Sequence, residues 1–204
     1  MSSVKLTHLG HACFRVDYGD FSFVVDPFAD GSAPGFPNIR EKADAVYCSH
    51  GHGDHNFAEG VALSGKAAPA DYEMKELEGF HDHHEGTKRG KNIVRRFNCG
   101  GISVVHMGDV GCIPSEEIIE LCRGCDVLLI PVGGHFTVDA EEAWTITEMI
   151  APRCAVPMHY RGEGFGFPII GTADAYAAHF DKVTHVERSF TVDENGPTGC
   201  ILTL

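Results

Sequence analysis

Apolar and polar residues alternate along much of the chain, with the two-residue period that is typical of strands buried on one face. Alternation over 4–16, followed by the apolar run Phe21–Val25, predicts an N-terminal hairpin that turns at 18–20. Apolar segments of strand length predict seven later strands, near 45–49, 93–97, 102–106, 127–131, 154–158, 189–193 and 200–204.

Helices are predicted between these strands, at 72–78, 115–122, 139–150 and 172–180. Asp139 and Glu142 are spaced as a capping box, which predicts that the third helix begins there. Strands joined partly by hairpins and partly by helices favour two mixed β-sheets flanked by helices. The expected class is therefore α/β (α+β), in a single domain over residues 1–204.

Composition narrows the class of protein. With 43% hydrophobic residues in 204, the chain can bury one sizeable core. Its formal net charge of −13 argues against broad nucleic-acid binding, which depends on basic residues that neutralise phosphates. The N-terminal residues lack the apolar core of a signal peptide, and no apolar stretch approaches membrane-spanning length. A cytoplasmic location without a membrane partner is the expectation.

The candidate chemistry is concentrated in the segment HGHGDH at 50–55, directly after the apolar run 45–49. His50 and His52 point the same way along an extended chain, so both imidazoles can hold one ion. Asp54 and His55 lie past the turn and can reach a second ion. The two intervening glycines are expected to let the backbone bend around the ions. The segment predicts a metal site at a sheet edge.

This H-x-H-x-D-H order resembles the hallmark of the metallo-β-lactamase superfamily. The small lactonase-like branch, with ascorbate-6-phosphate lactonase relatives and many metal-dependent hydrolases, is the most similar. The resemblance rests on the motifs LGHACF at 9–14, DP at 26–27, GD at 108–109, PVGG at 131–134 and PMHY at 157–160. It implies a four-layer αββα sandwich of two mixed sheets flanked by helices.

The resemblance also implies a dinuclear centre. It assigns three ligands to each ion and a bridge between them: His50, His52 and His81 to one, Asp54, His55 and His159 to the other, with Asp109 bridging. Zn²⁺ is the default ion, and Mn²⁺ or Fe are alternatives, because the set mixes imidazole and carboxylate. A metal-bound hydroxide is the expected nucleophile, since metal coordination lowers the pKa of water toward ~7.

Asp54 and His106 are the candidate catalytic residues. Asp54 is expected to orient the hydroxide. His106 lies three residues before Asp109, and support of a ligand or a plain strand histidine are the alternatives for it. The third ligand of the first ion is ambiguous, because His83 would point the same way as His81 in an alternating chain.

Two residues are expected to support ligands. Asp26 ends the run Phe21–Val25, where a carboxylate can accept an imidazole N–H and fix the ring. His11 belongs to the Gly-His pair that the relatives share. His135, which follows the glycines at 133–134, is expected to contact substrate or to support a ligand. For both His11 and His135, a plain loop histidine is the alternative.

Positive charge near the site predicts the substrate class. Five basic residues fall within 88–96, and Lys88 and Arg89 lie in the loop after His81. A solvated loop is the alternative interpretation. Aromatic residues of two other loops complete the predicted pocket: Phe28, Phe36, Phe165 and Phe167. These features predict that the substrate is a compact anionic small molecule.

The function predicted from the sequence is hydrolysis of a small anionic ester, lactone or phosphoester. One alternative is a nuclease or phosphodiesterase acting on nucleic acid, against which the acidic balance weighs. Another is a non-hydrolytic metal or redox module. The oligomeric state stays open, a homo-oligomer included.

Overall fold

The computed structural model describes residues 2–203 of the chain, which form fourteen strands and three α-helices. The strands are β1 (Val4–Gly10), β2 (Cys13–Tyr18), β3 (Phe21–Val25), β4 (Glu41–Ala43), β5 (Ala45–Tyr47), β6 (Val61–Leu63), β7 (Tyr72–Phe80), β8 (Lys91–Cys99), β9 (Ile102–His106), β10 (Val127–Pro131), β11 (Cys154–Met158), β12 (Val183–Val186), β13 (Ser189–Val192) and β14 (Gly199–Thr203). The helices are α1 (Glu116–Cys122), α2 (Ala140–Ile150) and α3 (Asp174–Ala177).

Two large sheets pack face to face. One has the strand order β13-β1-β2-β3-β5 and the other β12-β14-β11-β10-β9-β8-β7, while β4 and β6 form a small pair. Apolar side chains from the inner faces fill the space between them, as where Phe23 of β3 meets Phe97 of β8 with ring centroids 4.5 Å apart. This interdigitation removes a large apolar area from water and stabilises the sandwich.

The outer layers differ in kind. All three helices pack on the seven-stranded sheet through residues such as Ile119, Ile146 and Tyr176. On the five-stranded sheet, the covering side chains come from β4, β6 and the irregular segment that carries Phe28 and Ile39. The αββα fold class is confirmed, with non-helical chain supplying most of one outer layer among residues 2–203. Within the same range, no helix is both long and apolar enough to cross a lipid bilayer.

Two of the predicted helices are confirmed close to their expected bounds. The hydroxyl of Ser115 accepts the N–H of Ile118 at the start of α1, and Asp139 forms the predicted capping box with Glu142 at the start of α2. The predicted helix at 172–180 is reduced to the short α3.

The predicted helix at 72–78 is wrong, because these residues form the edge strand β7. The strand pairs antiparallel with β8 along its whole length. Glu76 lies opposite Arg95, and its carboxylate is 2.8 Å from Nε of that arginine. Tertiary pairing therefore outweighs the helix propensity of this segment, in which three Glu residues are interspersed with Met, Lys and Leu.

A turn also divides the predicted strand 4–16. Gly10 has a φ of 127° and His11 a φ of 56°, so the chain reverses there and β1, β2 and β3 form a meander. This turn lies at the same edge of the molecule as the carboxyl ends of β3, β5, β9 and β11, and it brings His11 to the candidate site.

Candidate metal centre

Strand ends place the residues of the candidate site. Asp26 follows β3, the segment 50–55 follows β5 after two residues, Asp109 follows β9 after two residues, and His159 follows β11. The parallel pairs β3·β5 and β9·β10·β11 bring these carboxyl ends to one edge. Six non-glycine residues of the described chain have positive φ, and four of them lie in or beside this cluster: His11, Asp26, His135 and His159. Such strained backbone is typical of functional sites.

Asp109 lies at the centre of the cluster. Its Oδ2 is 3.1 Å from Nε2 of His55, 3.3 Å from Nε2 of both His81 and His159, and 3.9 Å from Nε2 of His50. Desolvation of this buried carboxyl works to raise its pKa, but the imidazoles of His159 and His55 hold the pKa well below its ordinary value. Asp109 is therefore an ionised carboxylate on which four imidazoles converge.

The donor atoms fall into two groups, within each of which all atoms lie within 4.8 Å of one another. The first consists of His50, His52 and His81, and the second of His11, Asp54, His55 and His159. Asp109 lies within the same distance of His50 and His55 and is also 3.3 Å from Nε2 of His81 and of His159, so it is close to two members of each group. The structure thus brings all seven predicted ligands together and adds His11 to them.

Several buried polar atoms of these residues have no hydrogen-bond partner in the part of the chain that the structure describes. They are Nε2 of His50 and of His55, Nδ1 of His81, Oδ1 of Asp109 and both ring nitrogens of His11 and His159. Each such atom costs about 1–3 kcal/mol, so the arrangement requires an explanation. Imidazole and carboxylate are the donors that zinc and similar divalent cations take in proteins, so bound cations would satisfy most of these atoms. The residues therefore fit a metal centre.

Burial prepares two of the histidines for ligation. Desolvation lowers the pKa of His50 to about 4 and that of His11 to about 3. Both imidazoles are therefore neutral at neutral pH, and a neutral imidazole is the form that binds a metal.

Asp26 orients imidazoles of both groups. Its Oδ2 accepts Nδ1–H of His55 at 2.8 Å and the hydroxyl of Ser49 at 2.6 Å. The Ser49 hydroxyl in turn accepts Nδ1–H of His50 at 2.9 Å. These bonds assign the tautomers that leave Nε2 of both rings facing the cluster. Sequence reasoning missed Ser49, which carries no spacing signal.

Asn92 fixes the loop that carries Asp109. Its Oδ1 accepts the backbone N–H of Asp109 at 2.8 Å, and its Nδ2 donates to the carbonyl of Met107 at 2.8 Å. Sequence reasoning missed this residue too. Its burial, which shows that the side chain needs partners, appears only in the structure.

The position of His106 does not support its predicted catalytic role. The side chain is buried, Nε2 donates to the carbonyl of Ala12 at 2.9 Å, and Nδ1 accepts the N–H of Gly108 at 3.0 Å. Both nitrogens are occupied, so the ring cannot exchange a proton with substrate. His106 instead ties β9 to the turn at His11.

His81 and His83 separate clearly in the structure. His81 is buried beside Asp109, whereas the His83 side chain is 57% exposed with Nε2 3.4 Å from the carboxylate of Glu142. The alternative that His83 is the third ligand is therefore not supported by its position.

A cavity of about 250 Å³ adjoins the donor atoms. It is lined by His52, Asp54, His81, Lys88, Arg89, Asp109, Phe136 and Phe167. The guanidinium of Arg89 lies over the ring of Phe136, 5.2 Å from its centroid. The two basic residues predicted to contact substrate therefore border the cavity, and they supply the positive charge on its wall.

The predicted aromatic partners Phe36 and Phe165 do not line this cavity. Their ring centroids are 5.0 Å apart. Phe36 also packs against Gly10 so closely that a Cβ at Gly10 would overlap its ring. The predicted Phe167 does line the cavity, together with Phe136, which was not predicted. His135 is exposed and lines an adjacent cavity of about 380 Å³.

Asp82 shapes the loop that presents the basic residues. Its carboxylate accepts four backbone N–H groups at 2.7–3.1 Å, those of His84, Gly86, Lys88 and Arg89. Desolvation works to raise the pKa of Asp82, but these four bonds lower it to about 2. The loop is therefore folded around one carboxylate, which sequence reasoning did not single out.

Comparison with known proteins agrees with this geometry. The family model described as the beta-lactamase superfamily domain matches residues 5–159. The chain is 32% identical over 82% of its length to a UPF0173 metal-dependent hydrolase of Heliobacterium modesticaldum, with 85% of that protein covered. It is 30% identical over 77% of its length to one of Pelotomaculum thermopropionicum, with 84% of that protein covered. A solved structure of a metallo-β-lactamase superfamily protein from Thermotoga maritima has a TM-score of 0.75 and 26% identity, covering 98% of both chains. The chain therefore belongs to the metallo-β-lactamase superfamily.

Proposed function

We propose that this metal-dependent hydrolase binds two divalent cations, zinc by default, and cleaves a compact anionic ester, lactone or phosphoester. The observation that carries the proposal is the division of the donors into two groups with Asp109 between them. Seven protein donors are more than one tetrahedral site uses. A single carboxylate between two groups is also the arrangement that offsets the repulsion of two neighbouring cations.

Cations bound at such a site lower the pKa of water toward ~7 and so supply a hydrolytic nucleophile at neutral pH. The chain's own residues hold the geometry. Asp54 is the more open of the two cluster carboxylates, with 20% of its side chain exposed against 2% for Asp109. Asp54 borders the cavity, so it accepts a hydrogen bond from the attacking water and orients it. Asp109 also lines the cavity but is almost fully buried.

Lys88 and Arg89 set the substrate class in this proposal. They place two cationic side chains on the wall of a cavity whose size suits a small molecule. The net charge of −13 gives the rest of the surface no general attraction for anions, so selection depends on this local pair. A guanidinium fork binds a carboxylate or phosphate in a bidentate manner. Phe136 and Phe167 supply the apolar wall.

The proposal is tested with two esters of matched length, p-nitrophenyl butyrate and the p-nitrophenyl monoester of succinic acid. They differ in a terminal methyl against a terminal carboxylate. We expect zinc-loaded enzyme to hydrolyse both, with kcat/KM at least about tenfold higher for the anionic ester, and chelated enzyme to hydrolyse neither. Hydrolysis that survives chelation contradicts the metal-dependent mechanism, and equal kcat/KM values contradict the anionic preference.

A further inference from the structure

His11 is a buried histidine, 1% exposed. Within residues 2–203, neither of its ring nitrogens makes a hydrogen bond. Its ring centroid lies 4.0 Å from that of His159, and its Nε2 lies 3.5 Å from Oδ2 of Asp54. A buried polar ring without partners is unfavourable unless something outside the chain satisfies it.

The backbone holds this side chain in place. His11 has a φ of 56°, and its carbonyl accepts both the backbone N–H of His159 at 3.1 Å and Nε2–H of His8 at 3.1 Å. Nδ1 of His8 in turn accepts the hydroxyl of Thr203 at 2.8 Å. Strands β1, β11 and β14 thus fix the turn together. The ring of His11 is aimed at the cluster by this backbone anchoring, although its own nitrogens gain no protein bond.

The distances suit a ligand. Two donors that each lie about 2.0–2.2 Å from one tetrahedral cation are about 3.3–3.6 Å apart. The separation of 3.5 Å between Nε2 of His11 and Oδ2 of Asp54 falls in that interval. His55 and His159 complete the group, within which all donor atoms lie within 4.8 Å of one another.

We propose that Nε2 of His11 is a direct ligand of the cation held by Asp54, His55 and His159, and not merely a support for another ligand. The inference rests on the proposed metal function and deepens it. It makes the two halves of the centre unequal. The group of His50, His52 and His81 includes an exposed imidazole at the cavity, whereas the group with His11 is mostly buried and has four protein donors.

The test uses His11→Asn, because asparagine tolerates left-handed backbone and is too short to replace the imidazole. The matched control is His135→Asn, since His135 has a φ of 60° but is exposed and outside both donor groups. Metal-free proteins are titrated with Co²⁺ in competition with a chelator, and the visible absorption of bound cobalt is followed. Thermal unfolding of the metal-free forms reports whether each variant folds.

We expect the wild type and His135→Asn to bind two cobalt ions with the same affinities and spectra. His11→Asn should keep one ion at wild-type affinity and bind the other about 100-fold more weakly or worse, with an altered spectrum. Two ions with unchanged affinity and spectrum in His11→Asn would overturn the assignment of His11 and leave the dinuclear function standing. A single ion in the wild type would overturn the dinuclear function. In that case, weaker binding of this ion by His11→Asn would support the assignment of His11, and unchanged binding would overturn it.

A second measurement needs no variant. In crystals of wild-type protein soaked with Co²⁺, the anomalous signal locates each ion. We expect Nε2 of His11 about 2.0–2.2 Å from one of them. Separation of more than about 3 Å from every ion contradicts direct ligation, whatever the variants do.

Discussion

Nδ1 of His55 lies 2.8 Å from Oδ2 of Asp26, and both side chains are fully buried. The same carboxylate accepts the hydroxyl of Ser49, which accepts Nδ1–H of His50. One residue that donates nothing to a cation therefore orients an imidazole in each donor group. Such supporting contacts commonly determine how well a preformed site binds its metal.

Asp26→Asn tests this orientation. The amide matches the carboxylate in size and tolerates the φ of 50° at this position, but it lacks the charge that holds His55 and Ser49. We expect zinc affinity to fall about 10–100-fold, measured by competition with a chelator. Asp30→Asn is the control, because that carboxylate pairs with Arg40 at the surface, and its affinity should be unchanged. Equal zinc affinities for Asp26→Asn and the wild type would show that the contact does not matter for binding.

Asp109→Asn removes the central carboxylate while keeping its shape. The backbone bond from residue 109 to Asn92 should persist, so the fold is expected to survive, as far-UV circular dichroism can show. A cation at ~100 times its Kd stabilises the native state by about 2.7 kcal/mol, or roughly 5–10 °C in Tm for a chain of this size. We expect added zinc to raise the Tm of the wild type by roughly 5–10 °C and to raise the Tm of the variant much less. A full zinc-induced shift in Asp109→Asn would refute the central role of this carboxylate.

Arg89→Ala tests recognition of substrate charge. With the anionic and neutral p-nitrophenyl esters as substrates, we expect the KM of the anionic ester to rise about tenfold or more and that of the neutral ester to change little. Lys91→Ala is the matched control, since Lys91 is a nearby exposed cation that pairs with Glu78 at 2.5 Å. If Arg89→Ala raises the KM of both esters alike, Arg89 contributes to the structure of the loop and does not distinguish the charge of the substrate.

Gly111→Ala tests the close approach of two backbone segments at the centre. A Cβ at Gly111 would overlap the backbone carbon of His81 and the nitrogen of Asp82, so the first donor group must shift. At Gly53, by contrast, a Cβ would meet no atom within 4 Å. We expect Gly111→Ala to weaken zinc binding by about tenfold or more and Gly53→Ala to leave it unchanged. If Gly53→Ala weakened zinc binding and Gly111→Ala did not, the site would require Gly53 and not Gly111.

The contrast between these glycines shows where sequence reasoning failed. Glycines 51 and 53 were expected to let the chain bend around the ions, yet neither has a positive φ and neither faces a close neighbour. The bends that build the site occur instead at Gly10 and Gly108 and at three non-glycine residues with positive φ, His11, Asp26 and His159. Such strain depends on tertiary contacts, so the sequence gives little sign of it.

Much of the candidate site could nevertheless be predicted. The ligands within 50–55 are local in sequence, and the resemblance supplied His81, Asp109 and His159 from separate strands. His11 was placed only as a support, because uninterrupted alternation over 4–16 hid the turn at residues 10 and 11. Of the four predicted aromatic residues only Phe167 lines the cavity, and the place of Phe136 beside it depends on how the loops pack, which periodicity does not determine.

The number of cations per working chain tests the central claim most directly. Metal-free protein is titrated with zinc. At each step, the amount of bound zinc is measured by equilibrium dialysis and compared with the rate of hydrolysis of the anionic ester. We predict that bound zinc reaches a plateau at two ions per chain and that full activity requires both. A plateau at one ion per chain with full activity would contradict the dinuclear account.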